Sequence, residues 1–306
     1  MTSSKTISRL KSLLLAPGNI VRSLAALEQL KFNQGLILER LNRSLTSTNL
    51  HEYEFKIFSQ LGEDGIIQKL VSAIDIPNKT FIEFGVETFT EANCRFLMAK
   101  DNWSGFVIDG SRKNIEILKT LPDYLLYELK AIQAFITREN INDLLAQSGF
   151  PEDVGILSID LDGVDYWVLE KITTFRPRIL ITEYNAVFGG DRKISVPYAA
   201  DFQRTKMHHS NLYFGASLPA MVHLANKKGY AFVGTNSTGN NAFFVRHDLM
   251  NASLLERTAA QGFTPSKFRE SRDQDGKLTY LNGDERLAAI KGLPVVNVET
   301  EIAETL

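Results

Sequence analysis

The chain of 306 residues has a single cysteine, Cys94, so it can form neither an intrachain disulfide nor a metal centre built from several cysteines. Its apolar runs are far shorter than the roughly 20 residues of a membrane-spanning helix. The run Leu13–Leu15 is too short for the apolar part of a signal peptide. A net charge of −2 leaves no bulk positive charge for binding nucleic acid or an anionic membrane surface. These absences indicate a cytoplasmic protein.

From His51 onward, segments with strand-like and helix-like patterns alternate. The predicted strands are Phe81–Phe84, Gly105–Asp109, a run near Leu125–Ala134, Val154–Asp160 and Arg178–Tyr184. The alternation predicts an α/β fold with a mainly parallel sheet and helices on both faces.

The region after the alternating segments has a different pattern. A helix is predicted at Leu218–Lys227, and the runs Tyr230–Thr235 and Ala242–Arg246 predict an antiparallel hairpin with a long polar loop. Further along, Leu281-Asn282-Gly283 predicts another hairpin turn.

Before His51, apolar residues recur with helical spacing at Ile20, Leu24, Leu27, Leu38, Leu41 and Leu45. The spacing predicts a helix that either packs on its own domain or serves as an arm for self-association or partner docking; the leucine seam favours the arm. We therefore predict an N-terminal helical arm over residues 1–50, a core over 51–248 and a C-terminal extension over 249–306.

Four acidic residues stand at the carboxyl ends of predicted strands: Glu83, Asp109, Asp160 and Glu183. Ligands of open α/β sheets bind outside this edge of the sheet. An apolar strand that ends on a charge normally has a functional reason, because an unpaired charge near a core is costly. The pattern predicts a binding site along this edge.

The first two strand ends favour a nucleoside-containing ligand. Gly85 follows the first strand and lets a ligand approach the backbone, and Asp109 comes about 25 residues later, where an acid can hold ribose hydroxyls. Glu87 argues against a nicotinamide cofactor, since a carboxylate in that loop would repel a pyrophosphate.

Five segments, in this order and at these spacings, resemble the FkbM-like branch of class I S-adenosylmethionine-dependent methyltransferases. They are Ser59–Gly65, Glu83-Phe84-Gly85, Val107–Ser111, Ile159–Asp165 and Glu183-Tyr184-Asn185, and the resemblance covers roughly Tyr53 to Asp248. It implies a Rossmann-like class I methyltransferase fold with a seven-stranded sheet, whose last hairpin would be Tyr230–Arg246.

The resemblance also implies a function and a cofactor site. The expected activity is S-adenosylmethionine-dependent O-methylation of a hydroxylated acceptor, with a sugar of a surface glycan or its precursor favoured. The alternative is a non-catalytic binding or scaffold module of a glycan pathway that keeps the methyltransferase fold. The implied cofactor-binding residues are Glu83, Gly85, Asp109, Gly110 and Ser111. Glu87 departs from the pattern, which commonly has a second glycine here; it must point away from the cofactor or meet its ammonium group.

For the acceptor, methyl transfer to an alcohol needs a general base or an activating metal. Asp160 is the leading candidate base and Asp162 the second, while Asp165 is better explained as a helix cap. Acceptor-binding candidates are Glu183, Tyr184, Asn185, His208 and Tyr213, with Arg269 and Arg272 as weaker candidates for an acceptor carboxylate or phosphate. A magnesium ion held by Asp160, Glu183 and Asn185 is the alternative; the metal-free mechanism is favoured.

Overall fold

The computed structural model describes Ser23 and residues 25–306, which divide into two compact units, one ending at Leu45 and the other covering Thr46–Leu306. The first unit contains helix α1, over residues 25–42. The predicted seam residues Ile20 and Leu24 lie outside the described residues. The domain boundaries predicted at residues 50 and 248 stay predictions.

The second unit contains ten strands: β1 (Thr80–Phe84), β2 (Ser104–Asp109), β3 (Leu129–Gln133), β4 (Ile156–Ile159), β5 (Ile179–Glu183), β6 (Ile194–Ser195), β7 (Tyr230–Thr235), β8 (Asn241–Arg246), β9 (Pro294–Asn297) and β10 (Ile302–Thr305). Seven of them form the main sheet in the order β3-β2-β1-β4-β5-β8-β7. Strands β1 to β5 are parallel, and β8 runs antiparallel to both β5 and β7. The predicted α/β class, the seven strands and the final hairpin are confirmed.

The helices of the second unit are α2 (Glu63–Ala73), α3 (Arg95–Asp101), α4 (Arg112–Leu118), α5 (Pro122–Leu126), α6 (Ile141–Ala146), α7 (Asp165–Lys171), α8 (Arg204–Met207), α9 (Leu218–Lys227), α10 (Ala259–Gly262) and α11 (Gly283–Ala289). Short 3-10 helices cover Leu50–Tyr53, Ala186–Phe188 and His247–Leu249. No helix among the described residues is both long enough and apolar enough to cross a bilayer.

Side chains of the central strands alternate between two apolar cores, one on each face of the sheet. On β1, Ile82 and Phe84 enter the core that includes residues of α6, α7 and α9, while Phe81 enters the core that includes residues of α2, α3 and α4. All three side chains are at most 1% exposed, and burying each stabilises the fold by about 1.5–3 kcal/mol. The helices therefore cover both faces, as predicted.

Two local predictions are wrong. The segment near Leu125 is partly helical: Pro122 opens α5, where proline is well suited to the first turn, and β3 begins only at Leu129. The predicted turn at Asn282 is instead the start of α11, because the side chains and backbone of Asn282 and Glu285 form a reciprocal capping box.

The C-terminal segment returns to the core. Strand β9 pairs with both β6 and β10 in a small antiparallel sheet. The Tyr184 hydroxyl donates to the Thr264 carbonyl at 2.7 Å, and the Arg257 amide donates to the Phe232 carbonyl at 2.8 Å. Residues after β8 therefore pack beside the carboxyl end of β5.

Helix α1 presents an exposed apolar stripe. Leu27, Leu30, Ile37 and Leu41 follow helical spacing and are 56–64% exposed. Exposed apolar patches mark interaction surfaces, so we propose that the arm mediates self-association. Light scattering should show the full chain as a dimer or larger and a chain beginning at Thr46 as a folded monomer. A monomeric full chain would contradict the proposal.

A second truncation, a chain that begins at His51, tests whether residues 46–50 belong to the folded core. It also lacks Leu50, which is 4% exposed, and the carbonyls of Ser47 and Thr48 that accept hydrogen bonds from Tyr53 and Arg257. Losing a buried leucine costs about 2–5 kcal/mol. The chain from His51 should therefore melt at a lower temperature than the chain from Thr46.

Candidate functional site

A cavity of about 500 Å³ lies at the carboxyl ends of the central strands. Its lining includes Gly85 after β1, Asp109 at the end of β2, Asp160 after β4 and Glu183 at the end of β5. This volume is within the usual range for small-molecule and cofactor sites. Three of the four strand-end acids thus share one cavity.

Gly85 holds the loops after β1 and β4 together. Its φ is +67°, and a β-carbon there would lie 1.8 Å from the Asp160 carbonyl oxygen. Its amide donates to the Ile108 carbonyl at 3.0 Å. Only glycine fits this approach, so a side chain at position 85 would displace Asp160 before it reached any ligand.

Asp109 organises the loops after β1 and β2. One carboxylate oxygen accepts from the Glu87 amide at 2.8 Å, and the other from the Ser111 amide at 2.7 Å and the Asn114 side chain at 3.3 Å. A carboxylate has about four acceptor positions, so capacity for a ligand hydroxyl remains. Gly110 lines the cavity beside Asp109. Ser111 does not, and its hydroxyl caps α4.

Glu83, predicted to contact the cofactor, is not in the cavity lining. Its carboxylate accepts from the amides of Asn93, at 2.6 Å, and Cys94, at 3.1 Å, just before α3. Burial raises the pKa of Glu83 to about 7. The side chain therefore holds the end of the long loop between β1 and α3 in place.

Asp160, Asp162 and Glu183 form a carboxylate cluster in which one oxygen of each residue lies within 4.8 Å of the others. Burial, followed by the charge of a neighbouring acid, raises the pKa of both Asp160 and Glu183 well above the ordinary range. One Glu183 oxygen is buried without a hydrogen-bond partner. Asp162 is exposed and pairs with Arg204 at 2.6 Å. Such a cluster can take up a proton or hold a cation.

Asp165 shapes the loop that carries the cluster. Its carboxylate accepts from the amides of Leu161, at 2.8 Å, and Gly163, at 3.1 Å. Asp165 is 1% exposed and absent from the cavity lining. Its role is to hold the turn that presents Asp160 and Asp162.

Tyr184 and Asn185 line the cavity, but their polar groups are engaged in the fold. The Tyr184 hydroxyl donates to the Thr264 carbonyl. The Asn185 side chain donates to the carbonyls of Leu212, at 2.9 Å, and Phe214, at 3.0 Å, and accepts from the Val187 amide at 3.0 Å. The structure therefore brings Asp162, and not the Asn185 amide, beside Asp160 and Glu183.

His208 and Tyr213 are not in the cavity lining. His208 Nδ1 shares a hydrogen bond with the Ser210 hydroxyl at 2.7 Å, and the Tyr213 hydroxyl donates to the Pro294 carbonyl. Both residues therefore hold the long connection after β5 in place.

Sequence reasoning missed the wall of the cavity made by the connection after β5 and the C-terminal segment. Its residues include Phe202, Arg204, Phe268, Glu270 and Arg286. Arg269, a sequence candidate, is exposed and donates to the Tyr280 carbonyl. The unusual length of the connection after β5 was a signal for the part of the wall that contains Phe202 and Arg204.

No protein-family model and no curated protein matches the chain. Among solved structures, the N-terminal domain of EvdMO1 with SAH bound is 7% identical at a TM-score of 0.39, covering 61% of this chain and 80% of that one. PKMT2 from Rickettsia typhi in complex with AdoHcy is 11% identical at a TM-score of 0.41, and the match covers 63% of this chain and 54% of that one. An S-adenosylmethionine-dependent methyltransferase from Clostridium acetobutylicum ATCC 824 is 8% identical at a TM-score of 0.40, and the match covers 60% of this chain and 90% of that one. Likenesses this distant carry no argument about chemistry, which must come from the site.

Replacing Glu83 with glutamine tests the anchoring role of this acid. Because burial raises the pKa from 4.5 to about 7, the protonated carboxyl's contribution to stability is fully present below pH 4.5 and is lost as the pH rises through about 7. Urea denaturation should therefore show the wild type losing stability relative to Glu83→Gln between about pH 5 and about pH 8. The exposed Glu116→Gln is the control. Parallel pH profiles for wild type and Glu83→Gln would contradict the assignment.

Proposed function

We propose that the protein is an S-adenosylmethionine-dependent methyltransferase that methylates a hydroxyl oxygen of a small acceptor. The observation that carries the proposal is the composition of this one cavity at the carboxyl ends of the strands. One part has the glycine loop and strand-end acid suited to a nucleoside, and the other has the carboxylate cluster suited to activating an alcohol.

The cofactor would occupy the part of the cavity formed after β1 and β2. The remaining acceptor capacity of Asp109 suits the ribose hydroxyls. Phe135, which is 47% exposed, and the buried Ile136 offer apolar surface for the adenine. Glu87 also lines the cavity, which supports a role in meeting the ammonium group of the methionine part. A nicotinamide dinucleotide does not suit this loop, since the Glu87 carboxylate would oppose its pyrophosphate.

The reaction forms a carbon–oxygen bond to the acceptor and breaks the methyl–sulfur bond of the sulfonium. S-adenosylhomocysteine leaves, and the hydroxyl proton must go to a base. The Asp160 carboxylate accepts no hydrogen bond from the described residues, and its pKa is raised by burial and by the charge of Asp162. When it is ionised, a carboxylate with a raised pKa is a stronger proton acceptor than an ordinary carboxylate. Asp160 is therefore the base of the proposed mechanism.

A divalent cation is the alternative means of activating the acceptor. Asp160, Asp162 and Glu183 offer oxygen ligands of the kind that magnesium prefers. A bound cation would lower the pKa of the acceptor hydroxyl and relieve the repulsion among the three carboxylates. Both versions require Asp160.

The proposed acceptor is a sugar of a surface glycan or its precursor, as the resemblance implies. The aromatic side chains of Phe202, Phe214 and Phe268 line the same cavity as the carboxylates. Apolar faces beside hydrogen-bonding groups suit a hydroxylated ring.

Calorimetry tests the cofactor assignment. The protein should bind S-adenosylhomocysteine and not NAD. Asp109→Asn should weaken S-adenosylhomocysteine binding by about 1–3 kcal/mol, because a charge-assisted hydrogen bond to the ribose is lost. Asp143→Asn, an exposed change on α6, should leave binding unchanged. Tight NAD binding, or equal affinities of wild type and Asp109→Asn, would overturn the assignment.

Asp160→Asn tests the base. In an assay for S-adenosylhomocysteine formation with a panel of hydroxylated sugars, turnover should fall at least ~100-fold while cofactor binding survives. Full turnover in Asp160→Asn would contradict the mechanism in which Asp160 is the base.

Chelation separates the two versions. Activity that survives a chelator supports Asp160 acting alone. Activity that is lost and then restored by magnesium supports the cation, and Asp162→Asn should in that case raise the magnesium concentration required.

A further inference from the structure

Arg286, on α11, is a buried cation in the wall of the cavity. It is 8% exposed, and its Nη1 donates to the Phe268 carbonyl at 2.6 Å. Its Nε is buried without a hydrogen-bond partner, and none of the ion pairs among the described residues includes it. Burying an unpaired charge is costly. A residue placed this way is suited to an anion that is brought by a ligand.

A second guanidinium lies in the same wall. Arg204 stacks over the Phe214 ring at 3.8 Å, its Nη1 pairs with Asp162 at 2.6 Å and its Nε donates to the Asn211 carbonyl at 2.7 Å. Its Nη2 takes part in none of the described hydrogen bonds. Stacking and pairing fix the plane of this group, which leaves an oriented donor.

Glu270, an acid in the same wall of the cavity, is already engaged. Glu270 accepts from Arg272 Nε at 2.9 Å and from the Asn211 side chain at 3.3 Å. Burial, followed by the charge of Arg204, lowers the pKa of Arg286, and the charge of Glu270 opposes this shift. Arg204 is therefore compensated by Asp162, whereas Arg286 has no ion-pair partner among the described residues.

The position of Arg286 separates it from the proposed cofactor end. Helix α11 packs against the 3-10 helix Ala186–Phe188, which follows β5. The loops proposed to hold the cofactor follow β1 and β2, and β1 is separated from β5 in the sheet by β4. An anion at Arg286 would thus belong to the acceptor.

We propose that the acceptor carries a carboxylate or phosphate group and that Arg286 binds this group, with Arg204 as the second donor. The inference rests on the proposed methyltransferase function and names the class of its acceptor: an anionic hydroxylated sugar. A guanidinium presents parallel N–H donors that match two oxygens of either anion, and the Nη2 of Arg286, which takes part in none of the described hydrogen bonds, supplies such a donor.

The test measures binding of three probes to the full-length protein saturated with S-adenosylhomocysteine: glucuronate, glucose 1-phosphate and glucose. At least one anionic sugar should bind at least ~10-fold tighter than glucose, as expected for one charge-assisted contact. The anion that binds tighter tells whether the group is a carboxylate or a phosphate. Equal binding of all three probes would overturn the proposal.

Arg286→Met should abolish the preference for the anionic sugar and leave S-adenosylhomocysteine affinity unchanged. Arg269→Met, in an exposed residue of the same segment, is the matched control and should keep the preference. Arg286→Lys keeps the charge without the planar fork and should retain part of the preference, so it serves if the methionine variant does not fold. An undiminished preference in both Arg286 variants would refute the role.

Loss of the proposed function gives a different result. If the protein binds no S-adenosylhomocysteine, the proposed methyltransferase function is wrong. The preference for anionic sugars can then be measured without S-adenosylhomocysteine, and it still tests the role of Arg286.

Discussion

The site depends on one close contact, the approach of Gly85 to the Asp160 carbonyl. A β-carbon at position 85 would come within 1.8 Å of that oxygen. Because β1 and β4 are adjacent parallel strands, this contact sets the loop proposed to hold the cofactor directly beside the loop proposed to act on the acceptor. A substitution at Gly85 would therefore disturb both loops, and it cannot serve as a clean test of cofactor contact.

Hydrogen bonding separates structural acids from candidate functional ones. One oxygen of Asp64 accepts hydrogen bonds from the backbone amides of residues 57, 58 and 59. The carboxylate of Glu83 accepts hydrogen bonds from the amides of residues 93 and 94, and that of Asp165 from the amides of residues 161 and 163. Each of these acids is buried and holds a loop. Asp160 and Glu183 have no such backbone partners among the described residues, and the charge of each is destabilised by burial and by other acids. Acids left in that condition are candidates for chemistry.

The sequence predicts the parts of this fold that follow from regular patterning. Alternating apolar segments predicted the parallel strands, and the polar loop between Tyr230–Thr235 and Ala242–Arg246 predicted the final hairpin. The strand-end rule placed Asp109, Asp160 and Glu183 at one edge, because parallel strands end together. It could not tell that the Glu83 side chain faces the start of α3, since that depends on how the loop between β1 and α3 folds back.

The pair of arginines in the cavity wall, Arg204 and Arg286, could not be predicted from the sequence. Arg204 and Arg286 lie 82 positions apart in segments without strong periodicity, and only tertiary packing brings both to the cavity. Neither segment has a motif that distinguishes a buried arginine from an exposed one such as Arg269. The partnerless buried Nε is visible only in three dimensions.

The most direct test of the account is the electron density of a crystal grown with S-adenosylhomocysteine. The ribose should lie against the Asp109 carboxylate and the adenine beside Phe135, and the sulfur should face the part of the cavity that contains Asp160. Density for the ligand elsewhere, or a ribose that does not touch Asp109, would contradict it.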